Sequence, residues 1–224
     1  MEKIKLIVIA VLLTVTNHIS AQEAKYCLSY SDFINDVWIP IEKIDIKEHS
    51  NAHKLWWGGN DYSFTTGDNM MDMKLKEEVF MLIYQDSLYI NCRNLRYEKT
   101  AFDKGYVRAY RFCDNEIVFV NRRIGKDAKS EAEAMRFALG LAGGIAATAS
   151  NNKKSNAVCY LITDDAETLK KGKIAIHMMD TRTLEERLIG SDYFDEYHAE
   201  EEKMERESAE YTMNFIKRIG WLKE

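Results

Sequence analysis

His49 and His53 stand four residues apart, the spacing that brings two imidazoles to one helix face, where they could seat zinc. The glutamate that follows the first histidine in zinc proteases is missing: Ser50 holds that place, and Glu48 precedes His49. A solvated pair in a polar loop is the favoured reading, so no metal is expected. His177 falls in a strand-like run, where a buried or half-buried structural histidine is expected. Cys27, Cys92, Cys113 and Cys159 are an even number, which in an oxidising compartment invites disulfides, but their spacings form no disulfide framework. If the strand ending at Cys92 neighbours the one starting at Tyr106, Cys113 lies about 20 Å away, against a reach of about 7 Å between bridged Cα atoms. Cys92 and Cys113 are therefore expected to stay unbonded to each other. In β-like runs a thiol behaves as a small apolar side chain, and a nucleophilic cysteine would need a base that the sequence does not place. Gly190-Ser191-Asp192 lacks the closing glycine of a nucleophile elbow, and no Gly-rich phosphate loop occurs. No cofactor is expected.

Trp56, Trp57, Tyr62 and Phe64 form the strongest aromatic cluster, and with Asn60 and Asp61 beside them they could stack on a sugar and bond its hydroxyls. Leu55-Trp56-Trp57, a Gly58-Gly59-Asn60-Asp61 tip and Tyr62 to Thr66 read as a hairpin. On such a strand Trp56 and Trp57 point to opposite faces, which favours a core place for at least one. Core packing is the first reading; a ligand platform of Trp56, Trp57, Asn60 and Asp61 is the second.

Further runs supply the frame. Val79 to Tyr84 and Leu88 to Cys92 flank a turn at Gln85-Asp86-Ser87, with Leu88, Ile90 and Cys92 on one face. Tyr106 to Phe112 pairs with Ile117 to Asn121, and Val158 to Thr163 and Ile174 to Met179 read as two more strands. From Asp127 to Ser150 the composition turns to Ala, Gly, Leu, Met and Phe, with Ser130 and Glu133 in capping-box spacing, and a helix is predicted. Gly140, Gly144 and Thr148 make a glycine-zipper-like stripe along it, a device for close helix packing. Its charge-free part, Phe137 to Ala149, is about 20 Å of helix against a hydrocarbon core of about 30 Å, so packing is favoured over membrane insertion or self-association. From Asp192 to Leu222 apolar residues recur at helical spacing, predicting a C-terminal amphipathic helix. Strands, helix, strands, helix in that order imply an α+β fold with a mainly antiparallel sheet.

Lys3 and Lys5 precede an apolar run from Leu6 to Val15, after which polarity rises. That is the order of a signal peptide, and its core of roughly 10 residues is half of what a membrane span needs. Cleavage is expected between Ala21 and Gln22. Lys25 and Tyr26 before Cys27 exclude a lipid-attachment motif. The formal net charge of -5 argues against nucleic-acid binding. Residues 93–129 are basic and 195–210 acidic, so the two stretches are expected to complement each other; an anionic partner such as a lipopolysaccharide phosphate is the alternative.

The strings KLWWGGNDYSFTTGD, from Lys54 to Asp68, and LYINCRNLRYEKT, from Leu88 to Thr100, together with the Gly/Ala-rich helix between strands, resemble a family of exported proteins of gut-dwelling Gram-negative bacteria, a domain of unknown function. The resemblance covers most of the chain after the leader. It implies export and no activity, cofactor or catalytic residue.

Taken together, residues 1–21 are expected to be a signal peptide, 22–190 an α+β domain, and 191–224 a C-terminal helix packed on it. The expected role is noncatalytic binding in the envelope or outside the cell, with an envelope component or glycan as partner and peripheral membrane contact as a further option. The alternatives are a hydrolase of envelope or dietary polymers, whose catalytic residues would be dispersed, and a carbohydrate-binding module resting on the aromatic hairpin.

Overall fold

The computed structural model describes residues 24–113, 115–125, 157–164, 174–199 and 208–223. The cleavage pair Ala21 and Gln22 and the stripe Gly140, Gly144 and Thr148 lie outside them. In chain order the first elements are β1 (Ala24–Cys27), α1 (Tyr30–Ile34), β2 (Ile39–Ile41), β3 (Asp45–Glu48), α2 (Asn51–Trp57) and β4 (Tyr62–Thr65). Next come α3 (Asn69–Glu77), β5 (Met81–Tyr84), β6 (Ser87–Asn91), the small ribbon β7 (Arg96–Tyr97) and β8 (Thr100–Ala101), then β9 (Tyr106–Phe112) and β10 (Glu116–Arg122). The last are β11 (Ala157–Thr163), β12 (Ala175–Met178), α4 (Thr181–Leu188), α5 (Phe194–Ala199), α6 (Ala209–Arg218) and β13 (Leu222–Lys223).

The main sheet runs β12-β11-β10-β9-β6-β5-β1-β2, every pair antiparallel, with β3, β4 and β13 attached beside it. This is the mainly antiparallel α+β architecture expected; β5, β6 and the β9–β10 hairpin fall where the sequence placed them, and β11 and β12, expected as two strands, pair with each other. Side chains of period two divide its faces. Cys27, Met81, Ile90, Val107, Phe119 and Tyr160, from six strands, meet in one cluster that α1 covers with Tyr30 and Phe33. Their immediate neighbours along the chain face the other way. Leu82, Tyr89 and Tyr106 pack with Phe64 and Leu75 of the β4–α3 layer, while Val118, Cys159 and Leu161 pack with Leu184, Tyr197 and Phe215 from α4, α5 and α6.

One expected element is overturned. Leu55, Trp56 and Trp57 close a helix rather than form a strand, and β4 pairs with β3 through Asp45↔Thr65 and Glu48↔Tyr62. The Ser50 side chain accepts from His53 N and starts the helix; Gly58, at φ 71, ends it. A Ser N-cap and a glycine of positive φ are strong helix boundaries, and a three-residue apolar run does not outweigh them. Short helices elsewhere begin the same way, α1 on Ser29, α3 on Asp68, α4 on Asp180 and α6 on Ser208. In the C-terminal region the described helices are α5 and α6, and beyond Gly220 the chain turns into β13, which adds to β9 through Leu222↔Phe112.

Candidate functional site

The edge of β9 is shared between two strands. β10 holds it from Ala109 to Phe112, whereas at Tyr106 the partner is Tyr62 of β4. β10 continues past Ala109 bound to β11, with Asn121 opposite Val158. A seam therefore opens between β4 and the end of β10, and polar side chains fill it. Gly105 permits the approach: its φ is 100, and a Cβ there would lie 3.1 Å from the Tyr62 carbonyl oxygen.

At the floor of the seam sit Asn60, Asn121 and Cys92. The Asn60 amide donates to the Asp103 carbonyl at 2.7 Å, and its oxygen accepts from Asn121 Nδ2 at 3.1 Å. Asn121 also points Nδ2 at Cys92 Sγ, 3.5 Å away, while its oxygen accepts from Arg122 N. Both asparagines are buried with their side-chain groups engaged. Cys92 is fully buried, and that burial pushes its thiol pKa far up, so it carries no thiolate chemistry at ordinary pH. Cys27 and Cys159 are likewise pushed up to about 12 by burial. None of the four cysteines is disulfide-bonded, which agrees with the expectation for Cys92 and Cys113.

Above this floor, His49 follows β3 and its backbone N donates to the Asp61 carbonyl at 2.7 Å. Its ring bridges two partners: Nδ1 lies 2.9 Å from the Asn60 carbonyl oxygen and Nε2 lies 3.0 Å from Ser63 Oγ. A carbonyl only accepts, so Nδ1 must carry the proton; in the neutral ring Nε2 is then an acceptor, and the Ser63 hydroxyl donates to it. The His53 ring lies beside that of His49, centroids 4.5 Å apart and planes at 38°. Lys54, from the same helix, pairs with Asp61. His49, His53, Lys54, Asp61 and Ser63 are all half-buried, which puts them at the rim rather than in the core.

Of the residues singled out in the sequence, Trp56 and Trp57 lie in the last turn of α2, Asp61 is on the rim in its ion pair, and Asn60 is buried beneath. The two histidines do meet, although His49 precedes the helix; among the described residues no third His, Cys, Asp or Glu completes a metal-binding group with them. His177, expected inside, is exposed on β12. Among the described residues of the basic stretch, Arg93 pairs with Glu77, Arg111 with Asp36 and Arg122 with Asp103, while Glu196 pairs with Arg218; residues 200–207 of the acidic stretch lie outside the described residues. The His49–Ser63 pairing was not legible in the sequence. It depends on β3 at Asp45–Glu48, a run of exposed, charged residues carrying no strand signal beyond Ile46.

A family model matches residues 25–223, and its description is a family of unknown function, DUF6563. The chain belongs to that family. No curated protein and no solved structure matches it. The family match spans β1 to β13, so the seam, its floor and its rim lie wholly inside the DUF6563 region.

Proposed function

We propose that this DUF6563 protein is exported and acts by binding a hydroxyl-rich, glycan-like ligand at the seam rim. The observation that carries the binding reading is the rim itself. Imidazole, hydroxyl, ammonium and carboxylate groups from His53, Ser63, Lys54 and Asp61 gather around His49 on the half-buried rim beside the helix that carries Trp56 and Trp57. Sugar hydroxyls both donate and accept, so mixed donors and acceptors of near-zero summed charge suit them better than an anion. Export is supported by Lys3 and Lys5 ahead of the apolar run to Val15. The Gly140–Gly144–Thr148 helix and an amphipathic C-terminal segment are assigned to packing within the fold.

A glycan array probed with wild-type protein and with a Trp56→Ala/Trp57→Ala variant tests the binding reading. Binding to one glycan class that falls at least about tenfold in the variant, a loss of about 1.4 kcal/mol, is expected. Silence of wild type across neutral and acidic glycans alike would overturn it.

A second reading, a hydrolase of envelope or dietary polymers, has one observation in its favour: a serine hydroxyl aimed at an oriented imidazole.

A further inference from the structure

We propose that Ser63 is an acyl-accepting nucleophile with His49 as its base, and that the substrates are carboxylic esters. The proposal rests on the hydrolase reading and goes beyond it by naming the atoms and the bond class. The needed parts are a nucleophile and base within hydrogen-bond reach and a third group fixing the base. Ser63 Oγ to His49 Nε2 is 3.0 Å, and Nδ1 to the Asn60 carbonyl is 2.9 Å. The third group is held firmly, because Asn60 is buried and tied through its side chain to Asp103 and Asn121 and through its backbone N to the Lys104 carbonyl.

The role of Ser63 sets it apart from other serines. Ser29, Ser50 and Ser208 accept from backbone N–H groups at helix starts, a structural use. Ser63 sits inside β4 and caps nothing; its hydroxyl meets Nε2 in the one tautomer that can take its proton. Both residues are half-buried, at the rim rather than in the core.

In the reaction, Ser63 Oγ bonds to the ester carbonyl carbon while its proton passes to His49 Nε2. Collapse breaks the bond to the alcohol oxygen, which leaves with that proton. Water then adds to the acyl carbon, giving its proton to Nε2; the Oγ–acyl bond breaks, Ser63 recovers the proton, and a carboxylic acid departs. Because a carbonyl rather than a carboxylate faces Nδ1, the imidazolium formed in each step is less stabilised than in a full triad. Esters, whose leaving groups need little help, fit this better than amides.

The test is labelling of the purified protein with a fluorophosphonate, read by intact mass and peptide mapping, with melting curves to check the fold of each variant. One phosphonyl adduct on Ser63 is expected, absent in Ser63→Ala and formed about a hundredfold more slowly in His49→Gln, in line with the loss of a general base. Wild-type protein whose Ser63 stays bare, whether or not another residue reacts, overturns the proposal, as does a His49→Gln variant that labels at the wild-type rate. Either failure leaves glycan binding untouched, since the array measures it without turnover.

Discussion

Asn60 joins the two halves of the site with different parts of one residue: its side chain ties the buried floor together, and its carbonyl orients the His49 ring above. Cys92 completes that floor as a neutral thiol, kept so by burial. The same holds for Cys27 and Cys159, whose folded pKa of about 12 compares with an ordinary value of 9.0. The consequence for stability has a definite sign. A thiol pKa raised by folding means that the unfolded chain loses its protons first as pH rises, so stability is fully present below about pH 9 and declines between about 9 and 12. Urea melts from neutral pH upward should show a falling midpoint only above the lower limit. A midpoint that rises across that interval would contradict the burial of these thiols. In the folded protein a thiol reagent should reach Cys113, which is exposed, ahead of the other three.

At the scale of elements, the approach of β4 to β9 is what opens the seam, and Gly105 is its tightest point. Alanine there would adopt a φ of 100 with its Cβ 3.1 Å from the Tyr62 carbonyl oxygen. The backbone cost of such a position is about 1 to 3 kcal/mol. Gly105→Ala should lower the unfolding free energy by that much, read as a lower denaturation midpoint, and disturb the neighbouring His49 geometry; an unchanged midpoint would mean the strands part without strain. Which elements were legible follows from the signal each carries. β9, β10 and β11 alternate between two apolar faces, as Val118 and Phe119 or Cys159 and Tyr160 show, and these strands and the β9–β10 hairpin could be read from the chain. α2 could not, because Leu55-Trp56-Trp57 is apolar without a period, and the deciding signals were Ser50 before it and Gly58 after. β2 and β3 are short and mostly exposed, so burial left no mark on their composition. With β3 unseen, the register that brings His49 to Ser63 could not be inferred.

Over the whole molecule, a single antiparallel sheet buries one continuous core on one face and two separate cores on the other. The β3–β4 ribbon and α3 cover one of these, α4 to α6 the other, and β9 lies between, meeting β4 at Tyr106 and β13 at Phe112. The polar seam belongs to the β4 end, where the sheet divides. Its defining feature is a histidine held at both nitrogens, and the state of that ring is directly observable. Long-range nitrogen–proton NMR of the imidazoles should find His49 with its proton on Nδ1 and Nε2 accepting from the Ser63 hydroxyl. A proton on Nε2, or a ring exchanging freely between tautomers, would contradict the site.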